Sequence, residues 1–261
     1  MKKKLLFINI LISFIFLQTE QPYPPLNLAS IPTAGTMPKG YFSFTNTFMD
    51  KGSILPKFSI GITDNFTLGL SFGISNFIGT GKVRKNKSHP EIQLKYRIFE
   101  ETETIPAMVL GLDTQGRGKY YEKHLSLPIN RYEQKSYGLY FVISRNWKAM
   151  GNFGMHIGIN KNLNENDDQD DDINLFFGFD KEINRSFSIY AEYNFARDDD
   201  NFNDDLSNII YRDGHGYINA GVRWSATNSL MLEVNLNDIG KNDLNANAIN
   251  RELKVIYFEK F

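Results

Sequence analysis

The sequence predicts an all-β fold, a transmembrane antiparallel up-and-down β-barrel of about twelve strands. Three observations predict it: apolar and polar residues alternate with a period of two, short and long connections alternate, and the chain ends on an aromatic residue, Phe261. The alternation is clearest in the hairpin at residues 217–236. A secreted β-sandwich is the alternative, but a sandwich has no reason to collect its long loops at one end.

The start of the chain predicts export. Residues 1–4 are cationic and residues 5–17 form an apolar run too short to span a bilayer, so residues 1–20 are predicted to be a signal peptide. Retention as an anchor is the alternative, since no small-x-small cleavage pattern follows. Residues 21–39 contain five prolines and predict an extended, unpaired lead-in on the periplasmic side. Residues 40–261 are predicted to form the barrel.

Each predicted strand has apolar residues at every second position. The strands are predicted at 40–48, 58–63, 66–75, 92–98, 108–113, 138–144, 153–160, 173–179, 187–195, 217–224, 230–236 and 251–261. Long loops are predicted at 76–90, 114–135, 161–172 and 197–216, and residues 237–250 lead to the last strand. An even number of strands returns both termini to the periplasmic side, so these loops are expected outside the cell.

Composition excludes several classes of function. A formal net charge of −1 gives no basic footprint for nucleic acid, and the absence of cysteine excludes disulfides, thiolate metal sites and cysteine nucleophiles. We expect no cofactor. The expected partners are outer-membrane lipid and the barrel-insertion machinery, for which Phe261 is the predicted signal. Glu259 departs from the apolar residue usual two positions before that phenylalanine.

Charged residues occupy the face opposite the apolar one, which would face the lumen if the apolar face meets lipid. The candidate lumen-lining residues are Lys95, Arg97, Asp113, His156, Glu192, Arg223, Glu233, Glu252 and Lys254. A register that sets Trp224 opposite Leu232 also sets Arg223 opposite Glu233, which favours pairing inside a narrow barrel. The alternative is a polar conduit. Inward glycines such as Gly158 and Gly221 would either open the lumen or let the wall curve.

Two clusters contain residue types that occur in chemical sites. Ser144, His156 and Asp180 face inward, but facing alone is not expected to bring a nucleophile, base and orienting acid into hydrogen-bond geometry, so no catalytic residue is predicted. Aspartates at 167–172 and 198–205 offer oxygen ligands without the glycine of an EF-hand loop. Solvated loops are the preferred interpretation, and no metal site is predicted. Tyrosines at 120, 121, 132 and 137 could stack on sugars but are more typical of a rim girdle.

The middle of the chain resembles a known family. The residues concerned are Glu91–Glu100, Ile105–Asp113, Gln115–Gly118, Gly138–Arg145 and Gly151–Gly154, with Ile31–Gly35 and Lys39–Gly40 before the first strand. Their order and spacing resemble the YjbH-type family of exopolysaccharide-associated outer-membrane barrel proteins over residues 31–159. The resemblance implies a barrel linked to polysaccharide export or surface assembly, with polysaccharide as a candidate partner.

The predicted function is therefore a non-enzymatic outer-membrane β-barrel that assists exopolysaccharide export or envelope assembly. A small porin-like channel is the first alternative, since the predicted lumen is polar. A membrane-embedded hydrolase is the second, and it depends on Ser144, His156 and Asp180.

Overall fold

The computed structural model describes residues 24–124, 127–148, 151–168, 170–200, 213–243 and 248–261. The predicted signal peptide lies outside these residues. The strands are β1 (Tyr41–Phe48), β2 (Ile54–Thr63), β3 (Phe66–Ser71), β4 (Ile74–Ser75), β5 (Arg84–Lys85), β6 (Glu91–Phe99), β7 (Ala107–Asp113), β8 (Arg117–His124), β9 (Leu127–Gln134), β10 (Gly138–Lys148), β11 (Asn152–Lys161), β12 (Asn174–Glu182), β13 (Phe187–Asn194), β14 (Tyr217–Ser225), β15 (Leu230–Asn237) and β16 (Asn250–Lys260). Single 3-10 turns lie at Asp50–Gly52 and Arg197–Asp199.

Twelve of these strands close into a barrel. In order around the wall they are β1, β2, β3, β6, β7 and β10 to β16, and each pairs antiparallel with its neighbours. β1 pairs with both β2 and β16, which closes the sheet and leaves no edge. The predicted twelve-stranded up-and-down barrel is confirmed. Among the described residues, no helix has the length and apolar character needed to cross a bilayer.

The outer face of the barrel is apolar. On β15, Val234 is 56% exposed while its neighbours Glu233 and Asn235 are buried, and on β11 Ile157 is 59% exposed beside the buried His156. Period two therefore sends the apolar side chains to lipid and the polar ones inward, as the sequence predicts. Aromatic pairs such as Phe187 with Trp224 lie on the outer face near one rim, where aromatic side chains suit the membrane interface.

The two ends of the barrel differ. Connections at 64–65, 100–106, 149–151, 183–186 and 226–229 are short and share one end with both Gly40 and Phe261; we call this the turn end. The opposite, loop end carries the longer connections, except for the short link between β1 and β2. The loop predicted at 76–90 includes β5, which pairs with β4, and the loop predicted at 114–135 folds as the hairpin β8–β9.

The loop end is held by buried ion pairs. Arg131 on β9 is fully buried between Asp168, at 2.6 Å, and Asp199. Lys135 also pairs with Asp168, at 2.7 Å. A buried guanidinium that is paired with two carboxylates can hold loops together. Removing one of the carboxylates would lower the stability of the fold, because it leaves a buried charge without that partner. The prediction that the aspartates of these runs lie in solvated loops is wrong for Asp168, Asp170, Asp198 and Asp199, which are buried. Residues 204 and 205 lie outside the described residues.

The main departure from the sequence prediction is the segment before β1. Residues 21–39 were predicted as a periplasmic lead-in, but residues 24–38, here called the inner segment, lie inside the barrel, and those from Leu28 to Met37 are buried. The segment doubles back at Leu28–Ile31, where the Leu28 N–H donates to the Ile31 carbonyl at 3.0 Å, and it leaves the lumen at Pro38. Its burial gives the barrel an internal core.

Candidate functional site

The inner segment lacks a regular partner strand, so its main chain must find hydrogen bonds elsewhere. Four prolines, at 24, 25, 32 and 38, remove N–H donors and leave a surplus of carbonyl acceptors. Such a segment fits a cavity whose walls carry donors. Inward lysine and arginine side chains of the barrel supply them.

Lys95 on β6 makes the densest of these contacts. Its ammonium donates to the carbonyl oxygens of Leu26, of Thr33 at 3.1 Å and of Gly35 at 3.4 Å. An ammonium has three donors and no acceptor, so these bonds use its full capacity. Lys95 therefore joins both arms of the inner segment to the wall.

Donors on the opposite wall hold the bend. Lys254 Nζ on β16 donates to the Ala29 carbonyl at 2.6 Å, and Arg223 Nη2 on β14 donates to the Asn27 carbonyl at 3.0 Å. Both cations also pair with Glu233, which accepts from Arg223 Nε at 2.6 Å and lies 3.5 Å from Lys254 Nζ. The predicted register of Arg223 opposite Glu233 is confirmed.

Acceptors on the wall satisfy the N–H groups of the segment. Glu192 on β13 accepts from the Ser30 N–H at 2.8 Å and the Ile31 N–H at 3.2 Å, and also from Asn219 Nδ2 at 2.7 Å. Thr67 Oγ1 accepts from the Met37 N–H at 2.8 Å. Charge-assisted bonds of this kind are stronger than neutral ones, so Glu192 is the main acceptor at the bend.

Apolar contacts also hold the inner segment against the wall. Leu28 and Ile31 pack in a buried cluster with wall residues of β7, β10, β12 and β13, among them Phe176. A Cβ at Gly178 would come within 2.8 Å of the side-chain ends of both Leu28 and Ile31. The inward glycine makes room for the inner segment, an outcome different from both the open lumen and the curved wall expected from the sequence.

A cavity of about 130 Å³ remains between the inner segment and the wall formed by β1, β2, β15 and β16. Ser43, Thr45 and Thr47 of β1 and Ser59 of β2 present their hydroxyl groups to it, and Lys57 lies opposite Thr45 on the neighbouring strand. Four cations line the cavity, Lys57, Arg117, Arg223 and Lys254, beside two carboxylates, Asp113 and Glu233. The cavity is thus polar and has more positive than negative side chains.

A second cavity of about 530 Å³ lies at the loop end. Met49 and Arg117 line both cavities, so the two adjoin. The guanidinium of Arg117 pairs with Glu252 at this junction and also contacts the Ala29 carbonyl at 3.5 Å. The ion pair therefore stands between the loop-end cavity and the lumen.

Ser144, His156 and Asp180 do meet, contrary to the expectation from facing alone. Ser144 Oγ lies 2.7 Å from His156 Nδ1, and His156 Nε2 lies 2.8 Å from Asp180 Oδ1. Ser144 Oγ also accepts the N–H of Ala34 in the inner segment at 2.8 Å. All three side chains are buried, none lines either cavity, and the Ser144 hydroxyl is hydrogen-bonded to both His156 and the Ala34 N–H. The arrangement instead anchors the inner segment.

A titrating carboxyl lies at the loop end, outside the membrane-spanning strands. Burial, followed by the charge of neighbouring Asp199, raises the pKa of Asp198 to about 7. Asn160 Nδ2 donates to this carboxyl at 3.4 Å. The packing of this loop is therefore sensitive to pH near neutrality.

The predicted lumen residues divide into distinct groups. Lys95, Glu192, Arg223 and Lys254 hold the inner segment, Glu233 balances two of them, Asp113 lines the cavity, and His156 anchors Ser144. Arg97 does not line the lumen: it bonds Asn65 at the turn end. Phe261 is exposed there, and its N–H donates to the Gly40 carbonyl at 2.9 Å.

Sequence analysis missed Lys57, Arg117 and the inner segment. Ser59 faces inward between Phe58 and Ile60, so continuing that period two residues upstream would have placed Lys57 inside. The apolar residues Leu28, Ile31 and Met37 among the prolines were the sign that the segment is buried, since a solvated lead-in has no need of them. Arg117 follows a glycine in a predicted loop, and no local pattern marks it.

The model of the membrane-bound β-barrel domain family DUF5777 matches residues 28–238. The chain belongs to this family. A closed barrel with a lipid-facing apolar wall fits the description, and the chain is an outer-membrane β-barrel. The matched residues begin inside the inner segment and end after β15, so the DUF5777 match includes most of the segment and the wall strands β1 to β15. The match does not confirm the YjbH-type resemblance, which stays a prediction.

Several solved outer-membrane structures are similar to this DUF5777 chain. A KdgM porin is 10% identical with a TM-score of 0.48, covering 83% of this chain and 98% of the porin. The COG4313 outer membrane channel from Pseudomonas putida F1 is 12% identical with a TM-score of 0.44, covering 86% and 97%. Identities and TM-scores of this size support no inference about a substrate. Among curated proteins, none matches the chain.

Proposed function

We propose that this barrel is a small porin-like channel that its own inner segment holds closed. The observation that carries the proposal is that the wall alone does not fill the lumen. The inner segment occupies it through hydrogen bonds and apolar contacts from Lys95, Glu192 and Gly178, and a polar cavity remains beside it. A closed barrel of purely structural role could fill its interior with side chains from the wall.

The path in the closed state is too narrow for large solutes. The cavity beside the segment measures about 130 Å³, and the Arg117–Glu252 pair lies at its junction with the loop end. Opening therefore requires the inner segment to move. Its contacts are non-covalent, so displacement breaks hydrogen bonds and exposes polar wall side chains together with the apolar patch around Val109, Val142 and Phe176.

Deletion of residues 24–36 tests the proposal. Purified full-length protein in planar bilayers is expected to show little conductance, and the deletion variant is expected to show stable openings of much larger conductance. Deletion of residues 80–83, in an exposed loop, is the control and should conduct like the parent. A deletion variant that folds and inserts but does not conduct would rule out the channel.

The predicted part in exopolysaccharide export rests on the YjbH-type resemblance. A polymer does not fit beside the seated inner segment, so export through the lumen would require the segment to leave entirely. Exported polysaccharide should then fall when the gene is deleted and recover with the parent gene. Unchanged polysaccharide would remove the export role and leave the channel proposal standing.

A further inference from the structure

We propose that the lumen cavity is a binding site for a small oxyanion, a carboxylate or a phosphate. The inference rests on the proposed channel only in one respect, that the bound anion would be the solute the channel transports. The site itself is defined by donors around the cavity that lack a close partner. Those donors come from two walls, β14 on one side and β1 with β2 on the other.

Arg223 supplies the first donor. It is 3% exposed, and its Nε and Nη2 groups bond Glu233 and the Asn27 carbonyl, yet Nη1 is buried without a hydrogen-bond partner in the part of the chain that the structure describes. An unpaired buried guanidinium donor is costly unless a ligand or water accepts from it. Arg223 also lines the cavity, so its positive charge would attract an anion there.

Lys57 supplies the second donor and the excess charge. Glu233 pairs with both Arg223 and Lys254, and Glu252 pairs with Arg117. Across the described residues, no carboxylate lies within ion-pair distance of the Lys57 ammonium, although Asp113 on the same cavity attracts it from farther away. A bound anion would supply the close partner that Lys57 lacks.

Hydroxyl groups complete the site. The side chains of Ser43, Thr45, Thr47 and Ser59 line the cavity, and none makes a side-chain hydrogen bond to another described residue. Each can donate one hydrogen bond to an oxyanion. Two cations beside a row of hydroxyl donors match a carboxylate or phosphate better than a metal cation or an apolar solute.

Calorimetric titration of the full-length protein in detergent tests the site, with sodium phosphate and sodium acetate as probes and sodium chloride as the background salt. Saturable binding of either probe is expected. Lys57→Gln should weaken it about tenfold or more, because a charge-assisted contact is lost. Thr45→Val, which keeps every charge, should weaken it less, and Lys39→Gln, on an exposed turn-end residue, should leave it unchanged.

Each outcome decides between the two proposals. No saturable binding, or equal affinity in the parent and the folded Lys57→Gln and Thr45→Val variants, would overturn the site. Competition between acetate and phosphate would assign a general oxyanion site, and binding of phosphate alone would restrict it. If the full-length protein binds the anion but the 24–36 deletion variant does not conduct, the channel proposal is ruled out and the anion site stands. If the deletion variant conducts but the full-length protein binds no anion, the site is ruled out and the channel stands.

Discussion

The seating of the inner segment by Lys95 gives the sharpest test of the structure. Lys95→Met keeps most of the side-chain length and removes the three donors. The Leu26 carbonyl still accepts from the Thr33 N–H, but the carbonyls of Thr33 and Gly35 have no other hydrogen-bond donor in the described structure. The substitution should therefore weaken the seated state through two buried, unpaired acceptors.

The magnitude follows from those two groups. A buried polar group left unpaired costs about 1–3 kcal/mol, so two would cost about 2–6 kcal/mol. Removing the ammonium also removes the cost of keeping a charge out of water, which offsets part of that loss. A net loss of about 2–3 kcal/mol raises the displaced population roughly 30- to 150-fold.

Thiol labelling can measure this population. The chain has no cysteine, so Ala34→Cys introduces a single thiol at a site that is 3% exposed when the segment is seated. A water-soluble maleimide would react only when the segment leaves, and its rate would follow the displaced fraction. Lys57→Met is the matched control, an inward lysine on β2 that donates no hydrogen bond to the segment.

Labelling should accelerate by the same factor in Lys95→Met and stay near the parent rate in Lys57→Met. Equal labelling rates in the parent and Lys95→Met would refute the argument that this ammonium holds the segment. A similar acceleration in both variants would show that inward charge in general, and not the contacts to Thr33 and Gly35, sets the position of the segment.

Three other expectations follow from the structure. Val234→Arg, on the lipid face, should lower folding stability in lipid by about 2–4 kcal/mol, whereas Thr45→Arg, facing the cavity, should cost less; equal losses in urea titrations would contradict the facing. Because the pKa of Asp198 is raised when folded, its contribution to stability is largest below its unfolded pKa and falls as pH rises to about 7, so Asp198→Asn should slow hydrogen exchange of the loop end at pH 8 but not at pH 4. The reverse order would overturn the assigned cause. An epitope tag at Gly79 should be reachable on intact cells and one at Thr227 should not, and the opposite labelling would invert the orientation.

The wall of the barrel was predictable because its signal is local. Each strand meets lipid on one face, so the alternation of Val234 with Glu233 and Asn235 is visible in a few consecutive residues. The alternation shows which side chains point into the barrel, but not what those side chains contact there. Asn235 accepts a hydrogen bond from Tyr190, so it is not a free inward position, and a larger residue at Gly158 would meet the Phe176 ring instead of an open bore.

The inner segment and the loop end were not predictable in the same way. Lys95 and Glu192 contact the segment across sequence separations of 62 and 162 residues, and no local pattern encodes such contacts. The burial of Arg131 likewise depends on aspartates in two other loops. A run of aspartate or proline has the same composition whether it is solvated or buried. Whether it is buried depends on the residues that contact it, and these are distant in the sequence.

The remote partners of the inner segment set an order of assembly. Ser30 requires Glu192, and Ala29 requires Lys254, which lies 225 residues later on β16. Lys254 reaches its position beside Ala29 only after β16 meets β1 and the wall closes. The segment that precedes every strand therefore completes its contacts only when the last strand is in place. A chain truncated before β16 should leave it protease-sensitive, and its protection would mark the completion of membrane insertion.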